Sequence, residues 1–318
     1  MKRLSIILII CLLLTGCNIP AKASYSETQF LLDTVCTIKA GGENSKQAVM
    51  LAFEKIKEVQ LSADFYDANS TVSKFNNAKA GEPIPLDAHT EKIIKTALEV
   101  SEKTDGAFDI TIAPVKELWD FKGESPTPPA MSLIEEKLAF VGWEKLLLNT
   151  DAHTLTKTED GVKIDLGGAA KGYAADVAME AMKNAGATWG ILDLGGNIAV
   201  FGENPNNKDG LWQIGIQKPF EDTGQYGQTV TLKNSGAVVT SGVYQRYFTY
   251  QGKHYHHILN PRTGLPADTE ADSVSIKGRS ALLADCLSTA CLVMGREKSE
   301  GLRSNYDIEI IFEKGKSL

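Results

Sequence analysis

The sequence predicts an α+β protein with a largely antiparallel sheet and packed helices. From Leu146 onward, short β-prone runs are joined by segments of hairpin length that are rich in Gly, Asn and Asp. Gaps of that length can connect antiparallel strands, whereas parallel strands need a longer crossover. Helical patterns precede these runs, interrupt them once and follow them, so strands and helices do not alternate as in a doubly wound parallel sheet.

The first predicted elements are one strand and three helices. Residues 30–39 are β-rich and form the strand. Asn44, with Gln47 three residues later as in a capping box, begins a helix that has a regular apolar face. Asp87 caps the second helix and Ser132 the third. We expect the first helix to pack on the sheet.

Short β runs and two long helices make up the second half of the chain. The helices span about 169–185 and 281–294, and a last strand covers 307–312. Turn residues separate the β runs, as hairpins require. These runs lie at 146–148, 154–156, 162–166, 191–194, 198–201, 212–217, 229–232 and 237–240.

The composition indicates a globular protein that does not bind nucleic acid. Of the 318 residues, 43% are hydrophobic, which is enough for the core of one large domain or two small ones. The formal net charge is −7, and no cluster of Lys or Arg stands out. An acidic chain without a basic patch is a poor partner for a phosphate backbone.

The N-terminus has the features of a bacterial lipoprotein signal. Two basic residues precede an apolar run, 4–14, that is too short to span a bilayer comfortably. The run closes with Leu14-Thr-Gly-Cys17, which has the form of a lipobox. We expect residues 1–16 to be removed as a signal peptide and Cys17 to be acylated. The alternative is an ordinary signal peptide with a chance cysteine.

A polar segment follows the predicted lipidation site. Residues 17–28 carry Pro20 and predict a lipid-anchored tether for a body that spans 29–318. No second apolar stretch is long enough to cross a membrane. We expect a soluble body held by its lipid at the extracytoplasmic face of the cell membrane.

Three cysteines remain once the leader is removed and Cys17 is acylated. They are Cys36, Cys286 and Cys291, and each has apolar neighbours in the sequence. Such residues are typical of small buried side chains, so we predict no structural disulfide.

A glycine pair stands between a β-prone run and a helix-prone run. Gly167 and Gly168 can adopt positive φ and let a ligand approach bare backbone, and the helix that follows offers free amides to a phosphate or its metal. The alternative is a tight turn without a ligand.

Asp285 and Thr289 are four residues apart in a predicted helix, so a carboxylate and a hydroxyl project from the same face. Both are hard oxygen ligands of the kind that Mg²⁺ binds. The alternative is that Asp285 caps or pairs locally and Thr289 packs in the core.

Several motifs, in this order and at this spacing, resemble the FAD:protein FMN transferase (ApbE) family of bacterial lipoproteins. The match extends from about residue 30 to residue 293. The resemblance implies a compact, T-fold-like α+β body. Besides the glycine pair, the motifs are Leu192-Asp-Leu-Gly-Gly196, Thr240-Ser-Gly-Val-Tyr-Gln-Arg246, His256-His-Ile-Leu-Asn-Pro-Arg-Thr-Gly264 and Ala284-Asp-Cys-Leu-Ser-Thr-Ala290.

This resemblance implies an Mg²⁺-dependent enzyme with FAD as its substrate. FAD would be cleaved at its pyrophosphate, FMN would pass to a Thr or Ser of an extracytoplasmic flavoprotein acceptor, and AMP would be released. Two alternatives remain open: an FAD pyrophosphatase that yields FMN and AMP, and a non-enzymatic flavin-binding lipoprotein.

The resemblance also implies roles for individual residues. Mg²⁺ would be held by Asp285, Thr289 and a backbone carbonyl at Gly168, and either Asp285 or His257 would accept the hydroxyl proton. Asn260 replaces an aspartate of the family motif, which puts a catalytic role at that position in doubt. The residues that match flavin-nucleotide positions are Leu32, Tyr66, Ala107, Phe108, Asp109, Asp165, Lys171 and Leu259.

Overall fold

The computed structural model describes residues 24–315, which form fourteen strands and eight α-helices. The strands are β1 (Ser24–Leu31), β2 (Thr34–Gly41), β3 (Ile84–Pro85), β4 (Leu146–Asn149), β5 (Thr154–Lys157), β6 (Trp189–Leu194), β7 (Asn197–Phe201), β8 (Trp212–Gln217), β9 (Tyr226–Leu232), β10 (Ser235–Gly242), β11 (Tyr247–Tyr250), β12 (Lys253–His256), β13 (Ser273–Gly278) and β14 (Glu309–Glu313). The helices are α1 (Ser45–Ala63), α2 (Thr71–Asn77), α3 (Ala88–Lys103), α4 (Ala113–Lys116), α5 (Met131–Leu138), α6 (Ala170–Asn184), α7 (Ala281–Met294) and α8 (Arg296–Tyr306).

A seven-stranded sheet in the order β1-β2-β6-β7-β10-β13-β14 is the centre of the fold. Every pair of neighbours in it is antiparallel, which confirms the predicted fold class. The main core lies between this sheet and the helices, of which α1, α6 and α7 make the most contacts. The β8–β9 hairpin builds a second, smaller core around Trp189 and Trp212. The helices and the β8–β9 hairpin cover the faces of the sheet, so loops that could form a site lie at the ends of its strands.

The prediction of one strand over residues 30–39 is wrong in its topology. The segment contains the turn of a hairpin, with Leu31 paired to Thr34 across Leu32 and Asp33. Both turn residues have positive φ, 51° and 58°. This conformation is usually left to Asn-Gly or Asp-Gly, so nothing in the residue types predicted it. The hairpin's first strand begins at Ser24, so the last residues of the predicted tether lie in the sheet.

The β-prone run at 162–166 does not form the predicted strand and pairs with no other strand. The side chain of Asn76 replaces a strand partner: its Oδ1 accepts from Ile164 N at 2.8 Å and its Nδ2 donates to Ile164 O at 3.0 Å. Lys157, which is buried, donates to Val162 O at 3.0 Å. Two side chains therefore satisfy the main chain that leads into the glycine pair.

The sequence patterns predicted where helices begin and end better than they predicted the capping hydrogen bonds. Asp87 caps α3 as predicted, since its side chain accepts from two amides of the first turn. Asn44 instead donates to Ala185 O, so the predicted capping box is absent, and α5 begins after Ala130 without a side-chain cap. The sequence analysis missed α8, β13 and the β11–β12 hairpin.

Cys36, Cys286 and Cys291 are free and buried, which is consistent with the prediction of no structural disulfide. Burial raises the pKa of all three thiols, so these thiols stay protonated and unreactive at neutral pH. Among the described residues, no helix combines the length and apolar character needed to cross a bilayer. The predicted signal peptide and Cys17 lie outside the described residues.

Candidate functional site

A cavity of about 500 Å³ lies at one end of the main sheet. The β1–β2 turn, the β6–β7 turn at Gly195 and the end of β10 at Thr240 and Ser241 all contribute to its lining. Residues 107–110, Ile112 and residues 257–259 line it as well. A concave site of this volume is typical of small-molecule binding.

The cavity brings together almost all the residues predicted for the site. Tyr66 is the exception, because its side chain is 91% exposed and lies outside the lining. Its ring meets the edge of Phe65, and its contact with flavin stays a prediction. The predicted residues that line the cavity are Leu32, Ala107, Phe108, Asp109, Asp165, Gly168, Lys171, His257, Leu259, Asp285 and Thr289.

The Asp285 carboxylate is held rigidly at the buried end of the cavity. Asp285 is only 3% exposed. Its Oδ2 accepts from Gly172 N at 2.8 Å, and its Oδ1 accepts from Asn197 Nδ2 at 3.1 Å. A Cβ at Gly172 would lie 2.2 Å from Ala281 O, so only glycine lets α6 approach α7 closely enough for this contact.

Asp176 on α6 sets the position of α7. Its carboxylate accepts from Ala281 N at 2.8 Å, from Leu282 N at 3.0 Å and from Ser280 Oγ at 2.9 Å. It thus caps a neighbouring helix four residues before Asp285. Burial raises the pKa of Asp176, although these hydrogen bonds oppose the shift.

Hydroxyl groups from two elements meet beside Asp285. Ser241 Oγ lies 3.0 Å from Thr289 Oγ1 and 2.7 Å from Ser288 Oγ. The backbone of the glycine turn is close too, because a Cβ on Gly168 would lie 3.6 Å from Thr289 Oγ1 and 3.1 Å from the Phe108 ring. The turn and the helix therefore face each other across a gap that leaves no room for a larger side chain at Gly168.

The donor set fits Mg²⁺ held jointly with a substrate. Asp285, Thr289 and the Gly168 carbonyl are hard oxygen donors, and their small number leaves positions for water and phosphate, as Mg²⁺ sites usually do. No group of three or more His, Cys, Asp or Glu side chains suited to a metal occurs between residues 24 and 315. A dedicated cage for zinc or another metal is therefore not formed by such side chains in that range.

Lys116 joins the site although the sequence analysis did not single it out. Its Nζ lies 2.6 Å from Asp165 Oδ2, and Gly167 N donates to Asp165 Oδ1 at 2.8 Å. Burial by itself would raise the pKa of Asp165, but the charge of Lys116 and these hydrogen bonds hold it below the usual value. Asp165 is thus a carboxylate, and Lys116 and Lys171 bring positive charge to the glycine turn.

Asp109 stabilises the loop that carries Phe108. Its Oδ1 accepts from Thr111 N at 2.8 Å and from Thr111 Oγ1 at 2.6 Å, and its Oδ2 accepts from Trp143 N at 2.9 Å. Burial raises the pKa of Asp109, against these hydrogen bonds. We expect Asp109 to accept a hydrogen bond from the ribose or from a ring N–H of the nucleotide. That bond would be additional to the three that its carboxylate already accepts from the protein.

His257 is neutral at physiological pH. Burial, together with the nearby cations Arg246 and Lys116, lowers its pKa to about 3. Its Nδ1 lies 3.2 Å from Arg246 O. Since a carbonyl can only accept, Nδ1 carries the proton and Nε2 keeps its lone pair.

Asn260 has a structural role that does not need a charge. Its Oδ1 accepts from Arg262 N at 2.9 Å, and its carbonyl oxygen accepts from Gly264 N at 2.8 Å. Asn and Asp both form such turns. The replacement of the motif's aspartate therefore leaves this loop intact.

A cluster of exposed ion pairs centred on Asp33 lies at the mouth of the cavity. Asp33, in the β1–β2 turn, lies 2.5 Å from Lys122 Nζ and 2.7 Å from Arg246 Nη2. The side chains of Asp33 and Lys122 are 49% and 66% exposed. Both cations, Lys122 first, lower the pKa of Asp33.

Comparisons with known proteins agree on one family. The ApbE family model matches residues 32–312. The FAD:protein FMN transferase of Klebsiella pneumoniae is 31% identical over 289 residues, which cover 91% of this chain and 88% of that protein. The Haemophilus influenzae protein of the same name is 32% identical and covers 77% of this chain and 71% of its own length.

Solved structures give the same result. The ApbE protein of Thermotoga maritima superposes with a TM-score of 0.82 at 34% identity, over 92% of this chain and 97% of that one. The flavin transferase ApbE of Vibrio cholerae gives 0.78 at 26% identity, over 92% and 93%. Since the family match covers nearly the whole described chain and the fold is shared, this chain belongs to the ApbE family.

Proposed function

We propose that this protein is an Mg²⁺-dependent FAD:protein FMN transferase. It cleaves the pyrophosphate of FAD, attaches FMN through a phosphoester bond to a Thr or Ser of an acceptor protein, and releases AMP. One observation carries the proposal beyond family membership: Asp285, Thr289 and Gly168 line the same cavity as Lys116 and Lys171, and a Cβ on Gly168 would lie 3.6 Å from Thr289 Oγ1.

The arrangement suits phosphoryl transfer, which depends mostly on positioning and charge. Bound Mg²⁺ would supply positive charge to the pyrophosphate. Lys171, in the first turn of α6, is placed to bind the same oxygens together with the amides that follow Gly168. Phe108, which is 5% exposed and lies against the glycine turn, offers an aromatic face to the nucleotide.

His257 is the better of the two proton acceptors proposed for the hydroxyl. Both oxygens of Asp285 already accept hydrogen bonds and belong to the metal site, whereas Nε2 of His257 has a free lone pair. A pKa of about 3 makes His257 a weak base in the ligand-free cavity. Anionic phosphates beside it would raise that pKa toward neutrality, so its basicity would increase when FAD is bound.

Tyr66 enters this scheme as a prediction. An exposed aromatic ring can close over a bound base, and base stacking contributes about 1–3 kcal/mol when measured by alanine substitution. Tyr66→Ala should weaken FAD binding by that amount without changing thermal stability, because the side chain is 91% exposed. Unchanged FAD affinity would remove Tyr66 from the site.

Incubation with FAD, Mg²⁺ and a candidate acceptor protein tests the function. Covalent FMN on a Thr or Ser of the acceptor, found by mass spectrometry with equimolar AMP, is the expected result. Free FMN and AMP without a labelled acceptor would indicate the pyrophosphatase. Bound but unchanged FAD would indicate the flavin-binding lipoprotein, and either of these last results would contradict the transferase.

We also propose that the protein is anchored by acylation of Cys17 to the extracytoplasmic face of the cell membrane. The support is the sequence Leu14-Thr-Gly-Cys17. Cys17→Ala should release the protein from membrane pellets and leave transferase activity in the soluble fraction. Equal retention of the variant in membranes would contradict lipid anchoring.

A further inference from the structure

The two edges of the seven-stranded sheet differ in how they are protected. β14 carries a glutamate at each end, and α8 covers it: Arg303 Nη2 donates to Ile310 O at 2.9 Å. β1 is eight residues long and pairs with β2 in continuous register without a bulge. Its sequence, Ser-Tyr-Ser-Glu-Thr-Gln-Phe-Leu, contains no Lys, Arg or Pro, and the carboxylate of its one charged residue, Glu27, accepts from Tyr25 Oη at 2.8 Å and from Gln29 Nε2 at 2.6 Å. β1 therefore has one charged side chain, bonded within the strand, but no proline, bulge or covering helix of the kind that blocks other edge strands.

The register shows which backbone groups of β1 are free. Leu31 and Thr34 flank a two-residue turn and form a hydrogen-bonded pair, so every second residue from Leu31 back points its amide toward β2. Ser26, Thr28 and Phe30 therefore point their N–H and C=O groups away from the sheet. Within residues 24–315, no group outside β2 bonds to the main chain of these three residues.

This open edge leads to the cavity. β1 ends in the turn of Leu32 and Asp33, and both residues line the cavity. Beside the turn, Phe30 and Val35 lie opposite each other and are 70% and 57% exposed. A peptide strand added to β1 would lie about 4.8 Å from it and would reach the cavity mouth within a few residues of the turn.

We propose that β1 is the docking strand for the acceptor: an extended segment of the acceptor protein pairs with the outward groups of Ser26, Thr28 and Phe30 and thereby delivers its Thr or Ser to the cavity. This rests on the proposed transferase function, which requires a hydroxyl of another protein to reach the bound FAD. Main-chain pairing supplies affinity for almost any sequence, while Phe30 and Val35 select an apolar side chain next to the target. A second copy of this chain would satisfy the same edge, but it would not explain why the edge ends at the cavity.

Thr28→Pro tests the proposal, because proline removes one outward N–H and leaves the bonds to β2 intact. Thr28→Val is the matched control, since Thr28 Oγ1 also contacts Thr37 Oγ1 at 3.0 Å and valine removes only that contact. We expect KM for the acceptor to rise about tenfold in Thr28→Pro. FAD affinity and the rate at saturating acceptor should stay at wild-type values, and Thr28→Val should behave like wild type. An unchanged KM in Thr28→Pro would overturn the docking strand.

Amide exchange in the wild-type protein provides a measurement that needs no variant. The probe is a synthetic peptide of the acceptor centred on the Thr or Ser that the wild-type protein labels. Saturating peptide should slow exchange at Ser26, Thr28 and Phe30, while Glu27 and Gln29, already bonded to β2, should change little. Unchanged exchange at the three outward amides would overturn the proposal. Protection that grows with protein concentration and without peptide would show a second copy on this edge, and would also overturn it.

Failure of the docking strand is distinguishable from failure of the function. If Thr28→Pro labels the acceptor as well as the wild type does, the function stands and only the docking strand is wrong. If the wild-type protein labels no acceptor, the transferase proposal is wrong and the proposed occupant of β1 is wrong with it.

Discussion

The buried end of the cavity and its mouth are stabilised in different ways. At the buried end, Asp285 is 3% exposed and accepts a hydrogen bond from Gly172 N, and behind it the half-buried Asp176 accepts from Ala281 N and Leu282 N. At the mouth, Asp33 is paired with Lys122 and Arg246, whose side chains are 66% and 41% exposed. A buried carboxylate that loses its hydrogen-bond partners lowers the free energy of unfolding strongly, whereas an exposed ion pair contributes little to it. From this difference we expect substitutions at the buried end to reduce FMN transfer strongly, and substitutions at the mouth to have small effects.

The largest effect is expected for Asp285→Asn. The substitution removes the charge that we propose binds Mg²⁺, while Asn197 can rotate its amide to keep a hydrogen bond with the new side chain. FMN transfer should fall at least about 10²–10³-fold, as when a preorganised electrostatic contact is removed. The assay is transfer over a full Mg²⁺ titration, with circular dichroism as a check on folding.

Asp87→Asn is the matched control for this prediction. Asp87 caps α3 outside the cavity lining, and asparagine is an equally good cap. If Asp285→Asn transfers FMN at the wild-type rate at every Mg²⁺ concentration, Asp285 does not bind the metal. The expected difference between substitutions at the buried end and at the mouth would then be wrong as well.

His257→Gln should lower transfer about 10²-fold at neutral pH while FAD still binds, because a positioned general base contributes at least that much. A pH–rate profile with saturating FAD measures the pKa in the complex. For the wild type, we expect the acidic limb to lie well above the ligand-free pKa of about 3. A profile with no such limb, or full activity in the variant, would exclude His257 as the base.

The same residue makes a prediction about stability. The folded protein keeps His257 neutral down to a pKa of about 3, whereas the unfolded chain takes up a proton near pH 6.5. The unfolded state therefore binds more protons in this window, and the free energy of unfolding should fall as pH decreases from about 6.5 toward 3. In His257→Gln this part of the pH dependence should be weaker, as urea unfolding at several pH values would show.

Gly172→Ala tests the packing behind the buried end. The new Cβ would lie 2.2 Å from Ala281 O and 2.7 Å from Asp285 Cβ, so α6 and α7 must separate. We expect the free energy of unfolding to drop by about 1–3 kcal/mol, as for other overpacked cores, and the Mg²⁺ requirement to rise. Gly301→Ala is the control, because no atom lies within 4 Å of that position in α8 and alanine should stabilise the helix by up to about 1 kcal/mol.

The smallest effect is expected at the mouth, for Asp33→Asn. Loss of an exposed pair should change the free energy of unfolding by about 0–1 kcal/mol, and less at high salt. Chemical denaturation at low and high ionic strength measures this. A loss of transfer comparable to that of Asp285→Asn would show that the mouth is as essential as the buried end.

The sequence analysis found residues that act through local spacing. Asp285 and Thr289 share a helix face because they are four residues apart, and the glycine pair precedes a helix, so both groups were recognisable without a fold. The roles of Lys116, Asn197, Asp176 and Ser241 were missed. Each of these side chains bonds a partner between 47 and 106 residues away in the sequence, and no local pattern indicates such a contact.

The hairpin of β1 and β2 marks the same limit for the fold. A β-rich composition indicated β structure there, but the turn consists of Leu32 and Asp33, a pair that is not typical of a hairpin turn. Gln60 Oε1 accepts from Leu32 N at 2.7 Å, so a distant helix helps to hold this conformation. The tertiary structure thus imposes positive φ on residues that would not adopt it on their own.

Composition and periodicity by themselves determined the α+β class and most helix bounds, because these depend on neighbours within a few positions. The order and spacing of the motifs carried the family resemblance, and that resemblance implied eleven of the twenty-five residues that line the cavity. The order of the strands, the close approach of α6 and α7 at Gly172, the Lys116–Asp165 pair and the open edge of β1 were decided only by the tertiary structure. These four features depend on which distant segments of the chain come into contact. Those contacts are determined by the burial of the apolar surface of the whole chain and not by any single segment.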